Sequence, residues 1–213
     1  MCKLFSTMLD SCSPDSLTNS KCDVPRTFHL PYTWQFRLMR KCSWHRPLSK
    51  LMLNHECNAT SAMQITHLFV TRMLAKNMKG CVVFTSSAAA CQPTPFSALY
   101  GATKSYISSF AANIAVELKS RGIDVCAVHP SPVASNFYEK AHKLDSLNFF
   151  MNFAVQPDAL PQEIFRPIGR VVWYDIGGVA IGFRMLLKLI DYGCFATFIS
   201  YFAHALGDFK KNI

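Results

Sequence analysis

The strongest constraint on this chain is an alternation of long helical segments with short apolar runs between residues 59 and 130. Residues 59–78 place Ala62, Ile65, Leu68, Phe69 and Met73 on one helical face, with Gly80 following as a stop. Residues 81–87, CVVFTSS, are a short β-branched run of the kind buried in a parallel sheet. The spacing predicts a second long helix over 99–120, with Ile107, Phe110, Ile114 and Leu118 inward and Gly122 just past its end. Residues 123–130, IDVCAVHP, read as another buried strand, ended by proline. Helix–strand–helix–strand of these lengths implies parallel strands joined by helical crossovers. The expected fold is therefore α/β: a partial doubly wound, Rossmann-like parallel sheet with flanking helices and a helical C-terminal region.

The chain on either side is less regular. Residues 1–57 hold five of the nine cysteines and no glycine; the first glycine is Gly80. No sustained period emerges there, so residues 1–53 read as an irregular extension with one helix around Trp34–Cys42. Residues 54–138 form the regular α/β unit, and 139–213 an apolar helical region in which Asp158, Pro161 and Glu163 mark a helix start. Residues 175–207 are strongly apolar but interrupted by Arg184, Lys188 and Asp191. The longest stretch there without a charged residue, Tyr192–Gly207, is shorter than the roughly 18 residues a membrane span needs. Two packed helices or a membrane-surface patch both account for it.

Half the residues are hydrophobic and 16% are charged, which excludes general disorder. The net charge of +9 raises nucleic acid as a partner. The basic residues are scattered, however, without the aromatic-interleaved stripe of nucleic-acid modules, so no nucleic-acid role is expected. The nine cysteines include no C-x-x-C pair, and neither His67 nor His129 has a ligand-spaced partner, so no metal site is expected. The odd cysteine count fits reduced thiols. Asp10 and Asp15 argue against a mitochondrial presequence, and the first residues lack the apolar core of a secretory signal.

Tyr100 and Lys104 stand one helical turn apart on one face at the start of the second long helix. An ammonium beside a phenol favours the phenolate and lowers its pKa, giving an acid/base near neutrality. Ser87 ends the preceding strand, where α/β sheets carry reactive groups, and a loop with Pro93 and Pro95 bridges it to Tyr100. Ser86 is its neighbour, but the spacing favours Ser87.

In order along the chain, VVFTSSAA, SALYGATK and VHPSPVAS resemble the short-chain dehydrogenase/reductase superfamily, over about residues 54–138. The nearest branch is the 3-ketoacyl-CoA reductase and hydroxysteroid dehydrogenase group. The resemblance implies that Tyr100 exchanges a proton with the carbonyl or alcohol oxygen and that Ser87 hydrogen-bonds that oxygen. Lys104 would tune Tyr100 and bind the nicotinamide ribose, and Asn58 would hold a relay water. The resemblance places Pro130, Val133 and Ser135 at the nicotinamide, with Ser131 standing where the family has glycine. It also buries the Asn58-Ala59-Thr60 glycosylation sequon.

The implied cofactor is NADP or NAD, and the implied activity is interconversion of a ketone and a secondary alcohol on a small lipid-like substrate, a 3-oxoacyl-CoA or steroid. The family grips its dinucleotide through a glycine-rich turn after the first strand. No such turn exists before Gly80, and the missing half would need roughly 90 residues where 57 precede Asn58. Weak cofactor binding and impaired turnover are therefore expected. The alternative is a non-catalytic remnant pairing with a complete paralogue, or forming a homo-oligomer, through its two long helices. Membrane-surface contact through 175–207 is a further expectation. Endoplasmic reticulum membrane and cytoplasm are the two locations the reading allows.

Overall fold

A computed structural model describes residues 46–135, 145–205 and 207–212. All belong to the unit Met39–Ile213; the other unit, Met1–Leu38, lies outside the described residues, as does the helix expected at Trp34–Cys42. In chain order the elements are α1 (Leu48–His55), α2 (Ser61–Ala75), β1 (Gly80–Thr85), α3 (Ala98–Lys119) and β2 (Ile123–Pro130). Then follow α4 (Asp145–Met151), α5 (Leu160–Phe165), β3 (Trp173–Ile176), α6 (Gly178–Leu189), α7 (Tyr192–Phe202) and α8 (Gly207–Asn212).

The three strands form one parallel sheet in the order β1-β2-β3. β2 is central, and its apolar run is buried along nearly its whole length. Its alternation divides the core between two faces. Ile123, Val125 and Ala127 pack with Phe84 of β1 and with Ile107, Ala111, Ala115 and Leu118 of α3. Cys126 and Val128 face the other way, onto Ile176 of β3 and the half-buried Val155, Leu160 and Ile164. Small residues let α3 lie close to its neighbours: Ala111 and Ala115 are buried against the sheet, and Gly101 against Thr94 and Ala89 of the loop after β1.

Several details differ from expectation. The first long helix is two helices, α1 and α2, joined by one π-helical turn at Glu56–Thr60, so helical structure already begins at Leu48. Leu68 and Phe69, expected inward, are 47% and 56% exposed, while Ala62, Val70 and Met73 pack on the core. The sheet takes only the stripe nearest β1, so the far edge of a broad apolar face stays outside. Gly80 is not the helix stop. Asn77 adopts the left-handed conformation there (φ 50), and Gly80 opens β1. On α3, Phe110 and Ile114 are half-buried rather than core, and the alanines take the closest positions. β3 was not anticipated, because WYDI is short and carries an aspartate.

Gly122 takes φ 74 just beyond α3, the positive-φ role expected of it. Gly177 is more demanding. Its φ is +87, and a Cβ there would meet Val155 Cγ2 at 2.6 Å and Ser131 Oγ at 2.7 Å. Gly177→Ala is expected to cost about 2–4 kcal/mol, from strain plus overlap. Gly182, inside α6 with nothing within 4 Å of a built Cβ, should gain up to about 1 kcal/mol on change to Ala. Urea unfolding of the two variants checks this pair of opposite signs.

Candidate active site

The carboxyl end of β1 meets the first turns of α3, and the sequence-predicted residues converge there. Ser87 is extended (φ −164, ψ 158) and caps a short 3-10 turn, Ala88–Cys91, by accepting from Ala89 N–H at 3.2 Å. Its hydroxyl is near enough to the Tyr100 phenol to lower that group's pKa. Lys104, one turn along α3, lies with Nζ 5.7 Å from the Tyr100 ring centroid and donates to Thr85 O at 2.8 Å. Asn58 sits in the π turn and donates to Thr103 Oγ1 and to Asn54 Oδ1, both at 3.4 Å. The π turn thus fastens the α1–α2 corner to α3 beside the tyrosine.

Asn58, Thr85 and Lys104 supply the polar end of a groove of about 510 Å³ whose remainder is apolar, including Phe69, Met73 and Val82. Asn58 is half-buried in this wall, so the sequon is not a freely presented one. The electrostatics depart from the simple expectation. Burial raises the Tyr100 pKa, opposed by the Ser87 hydroxyl. Burial lowers the Lys104 pKa, opposed by the nearby Cys57 thiol. A lowering of the phenol by the ammonium was expected. Here desolvation dominates, with the ammonium hydrogen-bonded to the Thr85 carbonyl.

The loop after β2 lies at the same end of the sheet. Val133 bridges to Val155 in parallel, Ala134 N donates to Val155 O at 3.0 Å, and Ser135 N donates to Val133 O at 2.7 Å. Pro130 closes β2, and Ser135 is exposed. Ser131, where a backbone approach was expected to suffer, is buried, and its hydroxyl accepts from Ala180 N–H of α6 at 3.0 Å. Its side chain is thus committed to the α6 N-terminus.

Sequence reasoning missed a second polar cluster directly behind this site. His129, wholly buried at the end of β2, has Nε2 2.9 Å from Ser108 Oγ of α3. Ser108 Oγ is 2.7 Å from Ser86 Oγ. On the other side His129 Nδ1 lies 3.6 Å from Asp175 Oδ1 of β3, and Asp175 is held by Arg184 Nε and Nη2 at 2.9 and 3.0 Å. No sequence spacing announces this set, because its members come from five elements. Among the described residues no cluster is suited to a metal, and His67 is exposed.

The parallel α/β layer is of the dinucleotide-binding type, and Ser87, Tyr100 and Lys104 lie together at the carboxyl end of its first described strand. Residues 49–145 match the family model described as short chain dehydrogenase. Among curated relatives, hydroxysteroid dehydrogenase-like protein 1 of Gallus gallus is 34% identical over 93 residues, covering 44% of this chain and 28% of the relative. Very-long-chain 3-oxoacyl-CoA reductase of Anas platyrhynchos is 38% identical over 78 residues, covering 37% and 25%. This chain therefore matches only about a quarter of the length of either relative. In fold it is similar to a solved 7beta-hydroxysteroid dehydrogenase, with TM-score 0.59, 19% identity, and 68% and 56% of the two chains covered.

The buried imidazole generates a prediction. Burial, reinforced by Arg184 and opposed by Asp175, pushes the His129 pKa down to about 4 from the ordinary 6.5. The unfolded chain therefore takes up a proton below pH 6.5 that the folded chain refuses until about pH 4. Stability from this group is intact above pH 6.5 and declines toward pH 4, by on the order of 3 kcal/mol at most. In urea titrations between pH 7 and 4, His129→Gln should show a shallower fall than the parent chain.

Proposed function

We propose that residues 54–138 are the catalytic half of an NAD(P)-dependent oxidoreductase interconverting a ketone and a secondary alcohol on a lipid-like substrate of the 3-oxoacyl-CoA or steroid class. The observation that carries this reading is the gathering of three side chains at the end of β1: Ser87 near enough to Tyr100 to influence its pKa, and Lys104 Nζ 5.7 Å from the same ring. The names of the relatives support the substrate class. A raised pKa keeps the Tyr100 phenol protonated at neutral pH, the form that gives a proton to a carbonyl oxygen. Ser87, already directed at the phenol, would hold that oxygen beside it.

The residues at the nicotinamide end fit such a cofactor: Lys104 has an ammonium at the polar end of the groove, and the Pro130, Val133 and Ser135 segment borders the same sheet end. The nicotinamide, when bound, supplies or accepts the hydride. Lys104 would hold its ribose, and Asn58 would order a water in contact with the relay.

A second reading rests on residues 1–79, which contain no glycine and so no glycine-rich turn of the kind that receives a pyrophosphate. In it the chain binds cofactor weakly and associates with a complete paralogue through α2 and α3, whose Phe69 and Val116 are exposed. NADPH titration of the full chain, followed by fluorescence, should give a dissociation constant weaker than about 100 μM. Micromolar binding removes the second reading. With saturating NADPH and a 3-oxoacyl-CoA, Tyr100→Phe should remove whatever reduction is seen, and equal rates in parent and variant refute the first.

Contact of 175–207 with an anionic membrane surface belongs to the same proposal, supported by the exposed Met185 and Leu189 of α6 and Phe198 and Tyr201 of α7. No helix among the described residues is long and apolar enough to cross a membrane. Co-sedimentation with phosphatidylserine vesicles should drop at least several-fold in Leu189→Glu/Tyr201→Glu, as expected for burial of these side chains in the interface. An unchanged bound fraction refutes the contact.

A further inference from the structure

The buried polar cluster behind the site spans β1, α3, β2, β3 and α6, and its wiring can be followed proton by proton. Ser108 Oγ lies within bonding distance of three groups: His129 Nε2 at 2.9 Å, Ser86 Oγ at 2.7 Å and Lys104 O at 2.9 Å. Ser86 Oγ in turn reaches Lys104 O at 3.0 Å. Two hydroxyl protons and one imidazole proton must serve these contacts. With the proton on Nδ1, the ring N–H faces the Asp175 carboxylate, the Ser108 hydroxyl donates to Nε2, and the Ser86 hydroxyl donates to Ser108 Oγ. The other tautomer would turn a bare Nδ1 lone pair toward a carboxylate at 3.6 Å. The first arrangement is favoured, and it gives the chain a direction running from Ser86 to Asp175.

This chain ends on the residues of the site. Ser86 is the neighbour of Ser87, and Lys104 carries the acceptor carbonyl. α3 is tied at Ser108 a second time, because Trp173 Nε1 of β3 donates to Ser108 O at 2.9 Å. Arg184 stacks over the Trp173 ring at 5.1 Å while gripping Asp175. A helix advances about 1.5 Å per residue, so a slip of α3 by a single residue along β1 is enough to alter the approach of the Tyr100 phenol to the Ser87 hydroxyl.

We propose that Ser86, Ser108, His129 and Asp175 are positioning residues: the hydrogen-bonded run from Ser86 through Ser108 to His129, with the Asp175 carboxylate facing the imidazole at 3.6 Å, sets the register of α3 against the end of β1 and thereby brings Ser87 to Tyr100. The inference rests on the catalytic reading given above and adds to it the residues that keep the pair together. Buried polar groups wired in this way specify one arrangement, since any slide leaves a desolvated donor or acceptor unpaired.

The test uses the full chain labelled with 13Cζ-tyrosine. Of the seven tyrosine resonances, Tyr100→Phe assigns the relevant one. Ser87→Ala defines the position of that resonance when the phenol loses its serine partner. Ser108→Ala and His129→Leu are expected to move it by more than half of the Ser87→Ala displacement. His129→Gln, whose amide reaches the place of Nε2, should restore the parental position. A role limited to stability would lower the unfolding midpoint and leave the native Tyr100 resonance where it is. Should His129→Leu fail to fold, Ser108→Ala and Ser86→Ala, which remove only a hydroxyl, decide the matter. The proposal is overturned if both serine variants keep the parental resonance while Ser87→Ala shifts it. A Ser87→Ala spectrum identical to the parent instead overturns the catalytic reading and this inference with it.

Discussion

Lys104 holds the end of β1 from two sides, and the rest of the site depends on that grip. Its ammonium binds Thr85 O at 2.8 Å, and its own carbonyl lies 3.0 Å from Ser86 Oγ. One helical residue is thus bonded to the last residue of β1 and to Ser86 just beyond it, immediately before Ser87. The direction in which Ser87 leaves the strand follows from this, and so does its meeting with the phenol one turn back on α3. Burial governs the Tyr100 pKa, and the neighbouring ammonium, itself desolvated, is bound to the Thr85 carbonyl.

That grip needs a rigid background, which the two-faced burial of β2 provides. Its odd-numbered residues bind α3 and its even-numbered residues bind the α5 and β3 side, so neither layer can shift without disturbing the other. At the strand end the same alternation puts His129 on the α3 face. An apolar residue there would pack equally well in several registers. An imidazole with bonding needs at both nitrogens admits one. The functional end of the sheet is therefore held by polar wiring and the remainder by packing.

Much of this was readable in the linear sequence. The runs at 81–87 and 123–130 announce themselves through β-branched residues, and the second helix through its 3.6-residue period. Three features escaped for specific reasons. β3 is four residues with an aspartate, stabilised by its neighbours rather than by its own composition. The π turn at Glu56–Thr60 has no compositional signature. Leu68 and Phe69 lie on the correct helical stripe but past the edge of the described sheet, so periodicity overstated the buried width. For the site, the order Asn58, Ser87, Tyr100, Lys104 was legible from spacing and resemblance, whereas the cluster of Ser86, Ser108, His129 and Asp175 was not.

The sequence by itself determined the elements that pattern and spacing encode: an apolar strand, a helix with tyrosine and lysine one turn apart, and a second apolar strand beyond it. Those are local properties, carried by hydrophobic period and i, i+4 geometry. Only the tertiary structure decided that burial governs the Tyr100 pKa, and that a histidine with no sequence partner stands between an aspartate and two serines. Each of those outcomes is set by distances and desolvation between residues far apart along the chain, and such quantities come into being only when the strands and helices pack.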